Sequence, residues 1–198
     1  ARKKGEKLIN REGVSLWKLG KECVWKRNGV WTIENFTPRL MKPHYFQRVN
    51  GESIDFANDF LKKKKKKYYQ SIISAVPSTH LFIEGVPGER PPRWNITDGR
   101  RIVYAAHWYD SITLMTKRYH PRIAHDSING RIVFGKKKVY RSFVEQLQHH
   151  KTIGKEFLSN APTLIGEFGL PFDLKGARAY NTNDFSVHIR ALDTYYSA

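Results

Sequence analysis

Ile102-Val103-Tyr104-Ala105-Ala106 is a continuous apolar run that ends at His107-Trp108-Tyr109. Two further runs repeat the pattern: Leu81-Phe82-Ile83 ends at Glu84-Gly85, and Thr163-Leu164-Ile165 ends at Gly166-Glu167-Phe168-Gly169. Short apolar runs without polar alternation mark strands buried on both faces, as in a parallel sheet. The segments around them are long enough for crossover helices. One, from about Ser53 to Val76, carries Phe56, Phe60, Ile72, Ile73 and Val76 as apolar anchors. Another, Val139 to Leu158, has Val139, Phe143, Leu147, Ile153 and Phe157 at near-helical spacing. A last helix opens with Asp184 as its N-cap and has Phe185, Ile189, Leu192 and Tyr195 or Tyr196 on its apolar side. This alternation predicts the α/β class.

Upstream, residues 1–52 are punctuated by Gly5, Gly13, Gly20, Gly29, Pro38, Pro43 and Gly51, with Trp17, Trp25 and Trp31 between them. The stretch reads as a long aromatic loop region rather than regular elements. No internal repeat occurs and Pro/Gly-rich stretches are short, so residues 1–198 are expected to form one domain without an internal boundary.

Composition agrees with a folded domain. Of the 198 residues 40% are hydrophobic and 13% aromatic, too many core-formers for a disordered chain despite a net charge of +17. No apolar run approaches the ~18 residues of a membrane-spanning helix, and Ala1-Arg2-Lys3-Lys4 is not followed by an apolar signal core. The expectation is a soluble chain. The single cysteine, Cys23, excludes an internal disulfide, and no Cys/His spacing suits zinc, so no metal site is expected. The sequons Asn35-Phe36-Thr37 and Asn95-Ile96-Thr97 do not assign a compartment.

A net charge of this size ordinarily suggests a polyanionic partner. Here, nine of the positive charges come from two runs, Lys62 to Lys67 and Lys136 to Lys138. On a helix, six consecutive positions sweep ~600° around the axis, so some of the first run must face the core. Three readings stand: a snorkelling or solvated face, a stretch that replaces native residues, and a polyanion site. No RNA-recognition signature, helix-turn-helix pattern or zinc finger supports a specific nucleic-acid partner.

Glu84, His107 and Glu167 each stand at the C-terminal end of an apolar run. In a parallel α/β sheet or barrel that end binds ligands, so the three are expected at one mouth. Gly166 and Gly169 flank Glu167 and allow close backbone approach. A carboxylate placed there can attack or stabilise an electron-poor centre, and two carboxylates flanking a glycosidic bond are the minimum for most glycoside hydrolysis. His107 and Tyr109, two apart on a strand, point to one side, within reach of a carboxylate or a sugar hydroxyl. Trp108 offers a flat face for a sugar ring, or a wall or core role. No Gly-x-Ser-x-Gly elbow or P-loop is present, which leaves serine-hydrolase and P-loop chemistry unsupported.

Ala161-Pro162-Thr163-Leu164-Ile165-Gly166-Glu167-Phe168-Gly169 with Pro171 resembles the seventh-strand nucleophile segment of glycoside hydrolase family 5, the cellulase-like retaining β-glycosidases. Val103 to Asp110 resembles that family's sixth strand with its His-x-Tyr pair. Trp17 to Trp25 with Gly29-Val30-Trp31, then Asp184-Phe185 and Ala191-Leu192-Asp193, are similar to the endoglycoceramidase and steryl-glucosidase branch, which acts on glycolipids. The resemblance implies a (β/α)8 TIM barrel, double displacement and no cofactor. It implies Glu167 as catalytic nucleophile, Tyr109 in contact with that carboxylate, and His107 in the substrate-binding network. Glu84, at the end of the apparent fifth strand, takes a substrate-binding or supporting role.

The chain departs from the family in one respect that bears on activity. The acid/base glutamate of the family lies in an Asn-Glu-Pro motif closing the fourth strand, and the chain contains no such motif. By the resemblance, residue 1 falls downstream of it and the eighth strand falls beyond Ala198, so strands five to seven and their helices form a partial barrel. A three-strand parallel sheet has unpaired edges and an uncovered apolar face, which predicts self-association or a complementing segment. The competing reading is a non-catalytic fragment that holds carbohydrate, lipid headgroups or a polyanion. Its binding weakens steeply with salt and ignores Glu167.

Overall fold

The computed structural model describes residues 14–86 and 88–198. Ala1-Arg2-Lys3-Lys4, Gly5 and Gly13 lie outside the described residues. The chain divides into two compact units, one ending at Ile54 and the other running from Asp55 to Ala198. The sequence reading placed no boundary there.

The first unit corrects the expectation of a long loop without regular elements. A helical turn, α1 (Val24–Arg27), precedes two antiparallel hairpins, β1 (Trp31–Glu34) with β2 (Thr37–Leu40) and β3 (Arg48–Val49) with β4 (Glu52–Ser53). Both turns are two-residue connections with positive φ at each position: Asn35 (48°) and Phe36 (60°), then Asn50 (50°) and Gly51 (84°). Such turns match the right-handed twist of paired strands, and Asn-Gly is their strongest sequence signal. Trp17 and Trp25 stay 37% and 50% exposed, so these indoles build no core.

In the second unit a π-helical segment (Phe56–Leu61) runs into α2 (Lys62–Ala75). Asp55 opens it, accepting hydrogen bonds from the backbone N–H and the side-chain amide of Asn58 at 3.2 and 2.6 Å. There follow β5 (Leu81–Ile83), β6 (Ile102–Tyr109), α3 (Ser111–Thr116), the hairpin β7 (Ile123–Asp126) and β8 (Arg131–Phe134), α4 (Lys136–Phe157), β9 (Thr163–Gly169), α5 (Leu174–Thr182) and α6 (Ser186–Tyr196). β5, β6 and β9 form a three-stranded sheet in that order, parallel throughout. This agrees with the α/β expectation; α3, the β7–β8 hairpin and α5 had no counterpart in the sequence reading.

One face of the sheet is covered. Ile83, Ile102, Tyr104 and Ala106 pack with Trp94, Ile153 and Leu158. Trp108 packs with Val139, Phe143, Ala191 and Tyr195. Each such large apolar side chain contributes about 1.5–3 kcal/mol on burial. α4 approaches closely because of Gly154, where an added Cβ would lie 2.4 Å from Thr163 Oγ1. Burial on both faces, which the continuous apolar runs suggested, does not hold within the described residues. The other face leaves Phe82 and Leu164 56% and 49% exposed.

The lysine run does turn partly inward. Lys62 and Lys66, one helical turn apart, reach Asp98 at 2.7 and 3.0 Å. Burial works against the Asp98 charge, but hydrogen bonds from Lys62, the Asn95 N–H and Lys66 outweigh it and hold the carboxyl at about 2. The expected anchors Phe56, Phe60 and Val76 are exposed, and no residue of α2 is fully buried. In α6 the expected Tyr195 is buried and Leu192 packs against the core, while Ile189 is exposed and Val187, His188 and Ala191 complete the buried side. The N-cap is Phe185 rather than Asp184, which stands one residue earlier and accepts from Ser186 N–H at 3.0 Å.

Candidate functional site

β6 alternates strictly. Ile102, Tyr104, Ala106 and Trp108 are buried on the covered face, while Val103, Ala105, His107 and Tyr109 lie on the open one. A two-residue period therefore sets His107 and Tyr109 side by side at the C-terminal end. Trp108 is carried to the opposite face. It is 4% exposed, meets Phe143 and Tyr195 edge-on at 5.2 and 5.4 Å, and donates from Nε1 to Gln146 Oε1 at 3.3 Å. The expectation that Trp108 presents a face to a sugar is thus corrected: its indole belongs to the core.

Glu167 reaches the open face by a different device. Along β9, Ile165 pairs with Ala106 and packs into the covered core, so plain alternation would send Glu167 to that same side. The register instead steps from Ala106–Ile165 to His107–Glu167, leaving Gly166 as the extra residue of a β-bulge. An added Cβ at Gly166 would lie 3.3 Å from the Ala105 Cβ, tight for any larger residue. The bulge restores Glu167 to the face of His107 and Tyr109.

These groups form a connected row. The Tyr109 hydroxyl donates to Glu167 Oε1. His107 Nε2 lies 2.8 Å from Glu84 Oε2, and its Nδ1 lies 3.8 Å from Glu167 Oε2. The imidazole thus stands between two carboxylates. The hydrogen bond to Glu167 raises the Tyr109 pKa, with smaller contributions from burial and from the carboxylate charge. The structure therefore brings Glu84, His107, Tyr109 and Glu167 together and removes Trp108.

Three neighbours were not foreseen. Asp110 closes β6 and caps α3; its Oδ2 accepts from Thr113 Oγ1 at 2.6 Å and from the Tyr195 hydroxyl at 3.1 Å, which anchors the strand end bearing Tyr109. The polar Asp110-Ser111 pair before Ile112 was a readable N-cap signal. Lys65 is half-buried near Glu84, and burial lowers its pKa although Glu84 acts the other way. His150 helps line a cavity of ≈ 40 Å³ with Glu84 and His107, and burial, aided by His149, pulls its pKa down. Nothing local in the sequence marks either of these last two.

Among the described residues, no cluster of three or more His, Cys, Asp or Glu side chains could hold a metal ion, and no helix is long and apolar enough to cross a membrane. No protein-family model matches the chain. The chain is similar to glucosylceramidases and sterylglucosidases. It is 29% identical over 204 residues to a glucosylceramidase of Rhizopus delemar, covering 97% of this chain and 30% of that protein. It is 31% identical over 189 residues to an ergosteryl-beta-glucosidase of Saccharomyces cerevisiae, covering 86% of this chain and 24% of the relative. Sterylglucosidase 1 of Cryptococcus neoformans superposes with a TM-score of 0.78 at 28% identity, over 91% of this chain and 27% of its own. The relatives are glycoside hydrolases by name, and the chain spans less than a third of the length of each. The superposition covers most of this chain and about a quarter of the sterylglucosidase structure.

Proposed function

We propose that the chain forms part of the active site of a retaining β-glycosidase, a partial (β/α)8 barrel of glycoside hydrolase family 5, with a β-glucoside carrying a lipid or sterol aglycone as its substrate. The observation that carries this reading is the Glu167 carboxylate on the open sheet face, oriented by the Tyr109 hydroxyl and backed by His107 and Glu84. The names of the relatives support the substrate class.

In this reading Glu167 Oε1 is engaged by Tyr109, which leaves Oε2 to attack the anomeric carbon. The new Oε2–carbon bond forms as the glycosidic C–O bond breaks. The leaving oxygen takes its proton from an acid that another segment must supply, because no Asn-Glu-Pro occurs here. Water then attacks the same carbon, the former acid accepts its proton, and Glu167 is released with configuration retained. Glu84 does not serve as the missing acid, since the His107 ring stands between it and Glu167. His107 and Tyr109 also offer hydrogen bonds to sugar hydroxyls. The remaining strands, from another segment or chain, would cover Phe82 and Leu164.

The test is covalent trapping with a 2-deoxy-2-fluoro-β-glucoside bearing a dinitrophenolate, a leaving group that needs no acid. One added sugar on Glu167, absent in Glu167→Gln, is the expected result of intact-mass and peptide mapping. No adduct from a sample shown to be folded would overturn the reading in favour of a binding fragment.

A further inference from the structure

Away from the sheet mouth, two adjoining hollows of ≈ 460 and ≈ 340 Å³ share Tyr119, Pro121, Lys136, Asp193 and Thr194. Arg122, Lys136, Lys137, Lys175 and Arg190 line this cleft, against the single carboxylate of Asp193. They converge from the loop after α3, the first turn of α4, α5 and α6. None of the five cations forms an ion pair among the described residues.

Two local arrangements there run against ordinary preference. The first turn of α4 is basic and holds no acidic residue, although the partial charge at a helix N-terminus disfavours cations. Lys175, Gly176 and Ala177 are consecutively left-handed, with φ of 53°, 67° and 63°. The left-handed region is unfavourable for a non-glycine residue, and strain of this kind tends to gather at ligand sites. The segment is held by Lys175 N–H donating to Lys117 O at 3.0 Å, and by the Lys117–Asp173 ion pair. The chain therefore keeps unpaired positive charge in a concave place at an energetic cost.

Exposed apolar residues close in the chain to these cations indicate the kind of anion. Phe134, two residues before Lys136, is 65% exposed, and Ile132 on the same face of β8 is 50% exposed. Ile189, next to Arg190, is 65% exposed. Cations flanked by exposed apolar side chains suit a lipid–water boundary, where phosphates meet acyl chains. A free phosphate ion would gain nothing from apolar neighbours.

We propose that this cleft seats the phosphate headgroups of an anionic bilayer and docks the chain on that surface. The inference does not depend on the role of Glu167. Sedimentation with phosphatidylcholine vesicles, with and without phosphatidic acid, tests it. Binding is expected only to the anionic vesicles. It should weaken at least about tenfold in Lys136→Glu/Arg190→Glu, since each basic residue near such a surface carries a substantial share of the attraction. Lys63→Glu/Lys64→Glu, the same charge change on the exposed face of α2, should retain binding. Should the cleft variant fail to fold, Lys175→Ala/Arg190→Ala replaces it. Equal losses in both variants would reduce the effect to net charge and overturn the proposal. So would an absence of vesicle binding, or saturable binding of inorganic phosphate in the cleft without vesicle binding. Glu167→Gln, which fails the trapping test, should sediment like the parent chain, and this keeps the two readings separate.

Discussion

The Tyr109 hydroxyl and the Glu167 carboxylate lie on different strands, 58 residues apart in sequence, and meet through a direct hydrogen bond on the open face of the sheet. The pairing ties the orientation of the proposed nucleophile to β6, and it has a readable electrostatic signature. Glu167 raises the pKa of the Tyr109 phenol by accepting its proton in a hydrogen bond. Removing the negative acceptor must bring that pKa down toward the ordinary tyrosine value of ~10. In a pH titration of ring-labelled tyrosine by NMR, the resonance assigned through Tyr109→Phe should titrate earlier in Glu167→Gln. An unchanged titration would show that the two groups do not meet in solution.

The bulge at Gly166 decides which face Glu167 occupies. Deleting this glycine should join Ile165 directly to Glu167 in a regular ladder, keep Glu167 opposite His107 on the open face and preserve trapping on this carboxylate. Gly166→Ala keeps the residue count but sets a Cβ 3.3 Å from the Ala105 Cβ. That substitution should cost about 1–3 kcal/mol in urea unfolding while still allowing some adduct. Loss of labelling in a folded deletion variant would disprove the bulge argument.

Asp98 carries a pH-dependent share of stability. Its folded pKa is held down at about 2, below the ordinary aspartate value of ~3.9. A depressed carboxyl contributes its stabilisation above the unfolded value and loses it as pH falls through the folded one. At neutral pH the contribution is on the order of 2 kcal/mol. Asp98→Asn should therefore be less stable than the parent by about that amount at neutral pH, with the gap closing between about pH 4 and pH 2. Urea midpoints measured across this range give the check, and a gap independent of pH would contradict it.

The open face should govern association. Phe82 and Leu164 expose apolar surface beside unpaired strand edges, an arrangement that promotes pairing between copies. Phe82→Glu/Leu164→Glu should shift the sedimentation profile toward monomer and change the melting temperature little, since neither side chain is buried. A parent chain that is monodisperse and monomeric at high concentration would refute this.

Much of the architecture was legible because its signals are local. Three apolar runs ending in Glu84, His107 and Glu167 marked the parallel strands, and the Val139 to Leu158 periodicity marked α4 within three residues at its start and one at its end. The hairpins between residues 31 and 53 escape the sequence reading because tryptophan and glycine draw it away from Asn50-Gly51, whose hairpin preference is itself local. The α2 anchors failed for another reason. Helical spacing names a face, but burial needs a partner for that face, and Lys62 and Lys66 found theirs in Asp98, which no sequence spacing links to them.

By itself, the sequence determined the α/β class, the strands that carry the site and the shared side of His107 and Tyr109, since each follows from periodicity within a few residues. Tertiary structure alone decided that Trp108 is core, that Glu84 meets His107 and that Glu167 faces the mouth. Those outcomes depend on pairing register between strands distant in the chain, where one bulged glycine reverses the side of every residue after it.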